Sequence, residues 1–135
     1  DKRMVLIQKH RPTFENLITI QHKGAFVSNF ASIGQGCFIA AGATLAPYTK
    51  IGHGVIINHG AIVDHDCLIR NGTHIAPNAT LGGGVTVGTN VLVGAGAVIL
   101  RGLTIGHNAI IGAGAVVTKN VLPSELVIGI PAKKR

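Results

Sequence analysis

Residues 81–117 read LGGGVTVGTNVLVGAGAVILRGLTIGHNAIIGAGAVV. A branched aliphatic residue returns at every sixth position: Leu81, Val87, Val93, Ile99, Ile105, Ile111 and Val117. The same step carried toward the N-terminus meets Ile75, Ile69, Val63, Ile57, Ile51, Leu45, Ile39, Ile33 and Val27. All sixteen positions are Val, Ile or Leu, types that make up only 40 of the 135 residues, so composition alone does not produce the run.

In phase with Val27, the fifth place of each hexad is small or aliphatic, from Ala31 and Cys37 to Ala115 and Val121. The second place is often glycine, as at Gly34, Gly52, Gly82, Gly88 and Gly94. A period of six fits neither an amphipathic helix nor a simple hairpin sheet. It fits a short strand plus a turn, repeated, with three such units closing one triangular coil. First-place aliphatics then point inward and stack on their copies eighteen residues away, while the small fifth-place residues sit near the corners. Glycine is expected to supply the backbone freedom of the turns. The predicted architecture is all-β: a parallel β-helix of about five coils over residues 27–122, about 25 Å long at the usual strand spacing, with no break in phase. Short non-repeat segments flank it. Residues 1–10 are expected to form a helix that Pro12 breaks. Residues 17–26 lead into the first coil, and Pro123 stops the last one ahead of a basic tail, 123–135.

Twelve Lys and Arg against five Asp and Glu give a net charge of +7, which favours anionic partners, small phosphorylated molecules as readily as DNA. No Trp, one Tyr and four Phe argue against a stacking platform for single-stranded nucleic acid, and no nucleic-acid recognition motif is present. No membrane span or secretory leader is expected. Two isolated cysteines, Cys37 and Cys67, make neither a disulfide framework nor a zinc motif, which suits a reducing, cytoplasmic setting. Both fall in the inward fifth place, where a thiol has little thiolate character.

Polar residues concentrate in IINHGAIVDHDCLIRNGTHIAP, residues 56–77. His53, His59 and His65 occupy the third place of consecutive hexads, so they point outward from three different sides. An intrachain metal site needs converging ligands and is disfavoured; no metal is expected. His65 lies between Asp64 and Asp66, two of the five acids in the chain. A carboxylate orients an imidazole and raises its basicity, which suits a general base. A solvated turn histidine reads equally well from spacing alone. His74, nine residues on, is half a coil away and can join His65 only across a subunit boundary. Gly83 lies eighteen residues after His65 and stacks on it. A bare backbone there admits close approach of a ligand, or is simply a tight turn. The GxG fragments lack the strand–turn–helix context of a dinucleotide site.

The hexads over 27–122, NHGAIVDHDCLIRNGTHIAPNATLGG and the terminal VIGIPAKK together resemble the left-handed β-helix acetyltransferases. The likeness is strongest to the subfamily acting on sialic acid and nucleotide-linked amino sugars, which includes the bacillosamine-pathway N-acetyltransferase. The resemblance implies a left-handed coil, acetyl-CoA as co-substrate, a nucleotide-linked amino sugar as acceptor, and a homotrimer with sites between prisms. Residue by residue, it implies that His65 is the base and Asp66 the supporting acid. Asn58 stands near the sugar acceptor. His74 helps hold the thioester, the backbone around Gly83 meets the acetyl group or pantetheine arm, and Lys133 meets the coenzyme's phosphates. The subfamily usually carries an N-terminal α/β nucleotide-binding domain. The chain begins at Asp1, and residues 1–26 resemble the end of that domain, so a larger parent protein is expected.

Two other readings stay open at this level. O-acetylation of a sialic acid or related sugar hydroxyl needs the same base. A non-catalytic scaffold, or a trimer holding zinc through interfacial histidines, needs no acceptor at all.

Overall fold

The structure, a computed structural model, describes residues 2–10 and 16–135. Two-residue strands recur every six residues, and each pairs in parallel with the strand eighteen residues away, as in Phe38↔Ile56, Ile56↔His74 and His74↔Leu92. Three sheets result. The first wall stacks Ile20–Gln21, Phe38–Ile39, Ile56–Ile57, His74–Ile75, Leu92–Val93, Ile110–Ile111 and Leu126–Ile128, with Lys133–Lys134 added antiparallel at the end. The second runs from Phe26–Val27 through Ile62–Val63 to Val116–Val117, and the third from Ser32–Ile33 through Leu68–Ile69 to Thr104–Ile105. The chain is thus a left-handed parallel β-helix.

Both inward columns of the hexad are buried. From Ile39 to Val117 every first-place aliphatic is at most 5% exposed, and the fifth-place Cys37, Ala43, Val55, Ala61, Cys67 and Ala79 form the second column of the same core. Full burial of each such Val, Leu or Ile contributes about 1.5–3 kcal/mol. Among the described residues the two buried hydroxyls are satisfied: Thr49 donates to the Ala46 carbonyl at 3.0 Å and Thr73 to that of Gly88 at 2.7 Å. No helix among the described residues is long and apolar enough to cross a membrane.

The ends depart from the expected plan. A helix spans Lys2–His10 and lays its buried Met4 over the corner formed by Gly54 and Gly72. Pro12 lies outside the described residues. The ladder already includes Ile20–Gln21, and Pro123 does not stop it, because Leu126–Ile128 pairs with Ile110–Ile111. That pairing is offset by sixteen residues, and so is the bridge between Ile105 and Val121. The phase therefore slips by two in the last turn, and Val121 takes the inward place that Pro123 would have held. The stack comes to about six turns where the hexads alone gave five.

The glycines also work differently than expected. The left-handed backbone falls in the fourth place of the hexad, as at Gly54, Asp66, Asn78, Gly84 and Asn90, where Gly, Asn and Asp are tolerated. Second-place glycines are needed for close packing between coils: a Cβ on Gly88 would lie 2.6 Å from the His107 nitrogen. Gly88→Ala is therefore expected to cost about 1–3 kcal/mol by overpacking. Gly96, with a φ of 64° and nothing within 4 Å of its added Cβ, should accept Asn within about 0.5 kcal/mol. Thermal denaturation of the two variants checks the contrast.

Candidate active site

The turn Asp64–Cys67 joins Ile62–Val63 of the second wall to Leu68–Ile69 of the third. Both aspartates serve His65. Its backbone N–H donates to Asp64 Oδ1 at 2.8 Å, and its ring Nδ1 meets Asp66 Oδ2 at 2.7 Å. Neighbours in an extended strand point to opposite faces. Asp66, at a φ of 58°, turns the chain instead, and its carboxylate lies beside the ring. With the carboxylate accepting from Nδ1–H, the neutral ring carries its lone pair on Nε2, a tautomer assigned from this bond.

The imidazole stands in the open, 60% exposed, with Asp66 at 61%. The Asp66 hydrogen bond raises the His65 pKa above its ordinary 6.5, the Asp64 charge adds to this, and Arg101 opposes it weakly. Gly83, one coil on, makes the seat for the ring: a Cβ there would lie 2.5 Å from His65 Nε2 and 2.6 Å from Cε1. Gly83 accepts from Gly102 N–H at 2.9 Å, while its own N–H donates to none of the described residues. His65, Asp66, Gly83, Gly84 and Arg101 border a groove of about 520 Å³. Arg101 was not singled out in the sequence. The signal was present, since it lies 36 residues, two coils, after His65 in the same corner column.

The remaining candidates lie elsewhere on the chain. His74 faces outward from the first wall and borders a separate groove with Asn90, Leu92 and Asn108. Asn58, at the next corner, is not isolated: its Nδ2 lies 3.1 Å from His74 Nε2. An amide donating there fixes Nε2 of His74 as an acceptor. Lys133 is exposed at the far end of the first wall, four strands beyond His74, roughly 19 Å at the sheet spacing. Its neighbour Lys134 makes the ion pair with Glu125, at 3.1 Å. The Leu122 N–H and that lysine hold the Glu125 carboxyl below its usual range. His53 and His107 cap backbone amides of the preceding coil, those of Gln35 and Thr89, each at 3.0 Å. Cys67 is buried with its pKa pushed up by desolvation, and its thiol meets the Gly82 carbonyl at 3.3 Å. Neither cysteine forms a disulfide. Among the described residues no three metal-ligating side chains converge.

A parallel prism of hexads with an acid-supported histidine at one corner defines a class, the hexapeptide-repeat transferases. The family profile described as bacterial transferase hexapeptide (six repeats) matches residues 30–65, 48–83, 66–101 and 84–119, and the chain belongs to this family. Among solved structures it is similar to a histidine-to-alanine variant of GDP-perosamine N-acetyltransferase from Caulobacter crescentus, in complex with CoA and GDP-perosamine. The two are 39% identical over 99% of this chain and 64% of that one, with a TM-score of 0.96. It is also similar to the acetyltransferase domain of PglB from Neisseria gonorrhoeae, at 34% identity over 99% of this chain and 65% of that one, TM-score 0.95. The same domain in complex with acetyl coenzyme A matches at 38% identity over 88% of this chain and 58% of that one, TM-score 0.86. The chain thus spans somewhat less than two thirds of the length of these relatives. No curated protein sequence matches it.

Asp66→Asn keeps a residue suited to the left-handed backbone and removes the charge that raises His65. NMR titration is expected to show the His65 pKa falling toward 6.5 in this variant, with the thermal midpoint little changed.

Proposed function

We propose that the chain is the catalytic prism of an acetyl-CoA-dependent N-acetyltransferase acting on the amine of a nucleotide-linked amino sugar. The relatives named above support the reaction class. The observation that carries the mechanism is the His65 ring, gripped at Nδ1 by Asp66 with Nε2 lying over the bare Gly83. The acceptor amine attacks the thioester carbonyl, forming the C–N bond, and Nε2 of His65 takes the amine proton. The Gly83 N–H, which donates to none of the described residues, serves as a donor to the oxyanion of the tetrahedral adduct. Collapse breaks the C–S bond, and the imidazolium returns its proton to the leaving thiolate. Acetyl-CoA brings the activated acyl group, so no acyl-enzyme is required, consistent with two buried thiols.

A homotrimer completes the proposal. His65 and His74 lie on different sides of one chain, and a neighbouring prism brings a His74 opposite each His65. The outward residues of the first wall suit that contact: Ile20, Phe38, Ile56, Leu92 and Ile110 form an apolar stripe interrupted only by His74. In the assembled groove His74, held by Asn58, positions the thioester, and Asn58 lies near the sugar. Lys133 contributes charge toward the coenzyme's phosphates. The setting is cytoplasmic, in keeping with the two cysteines.

Release of thiol from acetyl-CoA with GDP-perosamine as the first acceptor tests the reading. His65→Ala is expected to lower kcat/KM by roughly 10²–10⁴-fold. Because the neutral ring is the base and its pKa is raised, activity should be present at high pH. It should fall as the pH drops through an acid limb lying above 6.5. Near-wild-type turnover in His65→Ala would overturn the mechanism.

Gly83→Ala separates seat from scaffold. Its Cβ would meet the movable ring and not backbone, so the protein should stay folded with an almost unchanged melting temperature while kcat falls at least about tenfold.

A further inference from the structure

One residue breaks the rule of the left-handed corners. Between residues 36 and 114, fourth-place residues with positive φ are Gly, Asn or Asp, except Tyr48 at 63°. A bulky side chain in this region is a backbone outlier, and such strain persists where something retains it. Packing does not explain it, because Tyr48 is 57% exposed. Its ring instead pairs with the exposed Phe30, centroids 5.4 Å apart and planes tilted by 33°.

The pair belongs to the corner that carries the base. Phe30, Tyr48, Asp66, Gly84 and Gly102 follow one another at eighteen-residue steps, and Asp66 N–H donates to the carbonyl of Pro47, beside Tyr48. Along this edge the order is aromatic pair, histidine and carboxylate, bare glycines, then Arg101. Tyr48 is one coil from the base, about 4.8 Å along the stack.

We infer that Phe30 and Tyr48 form the platform on which the pyranose ring of the acceptor sugar lies. The inference rests on the transferase reading above and assigns its acceptor subsite. The positive C–H face of a sugar ring complements the negative face of an aromatic ring. Arg101 stands on the other side of His65, toward the end of the stack where Lys133 is assigned above to the coenzyme's phosphates. The acceptor then approaches from the aromatic side. Only the ring bearing the amine can lie one coil from Nε2. The nucleobase, separated from it by a diphosphate, lies farther off.

The chain has a single Tyr and no Trp, so emission excited selectively at tyrosine arises from Tyr48 alone. The methyl glycoside of perosamine has no ultraviolet chromophore and serves as the probe. Titrating it into the 135-residue chain is expected to change that emission saturably, and Phe30→Ala should weaken the binding by about two- to tenfold. In kinetics, Tyr48→Asn should raise the KM for GDP-perosamine by a similar factor and leave that for acetyl-CoA unchanged. It should also raise the melting temperature, since Asn suits the left-handed corner. A purely structural tyrosine would instead leave the acceptor KM unmoved. Emission that does not respond to the glycoside, or an unchanged acceptor KM in Tyr48→Asn, overturns the platform. A saturable response without thiol release leaves the platform standing and overturns the transferase reading.

Discussion

Parallel pairing of strands eighteen residues apart sets the geometry on which the rest of the molecule depends. Apart from Leu126–Ile128, each strand is only two residues long and would not hold alone. Its order comes from the coil on either side, as when Ile56 N–H donates to Thr73 and His74 N–H to Val91. The ladder keeps identical places of the hexad in register and so turns a one-dimensional pattern into columns. Inward columns become core. Corner columns become addresses at which successive side chains are separated by one strand spacing.

The candidate site is one such column with its chemistry distributed along it. His65, Gly83 and Arg101 are far apart in sequence and adjacent at one edge. The base gains its orientation from the residue that follows it, and its room from the residue one coil below. Asp66 can do this because the corner demands a left-handed residue and aspartate tolerates that conformation. The same constraint that shapes the turn therefore supplies the carboxylate.

Much of this was legible in the sequence, because the hexad forces burial and sidedness together. The sixteen aliphatics marked the core, and the third-place position of His65 marked it as outward. Other features were not legible. Spacing of sixteen between Asn58 and His74 matches no multiple of the hexad, so their contact across the first wall was hidden. The two-residue slip before Val121 was hidden as well, since Val121 fits the fifth place as comfortably as the first. Glycine was misassigned for a physical reason: the second place needs the absence of a Cβ, while the fourth needs a permissive φ, which Asn and Asp also meet.

A stack of this kind has no natural stopping point, because its last coil presents unpaired donors and acceptors to whatever comes next. Here the chain reverses after Leu126–Ile128 and lays Lys133–Lys134 antiparallel along that rim. The added strand covers the open edge of Leu126–Ile128, and Lys134 ties it down through its ion pair with Glu125. A covered and charged edge of this kind resists edge-to-edge pairing along the first wall.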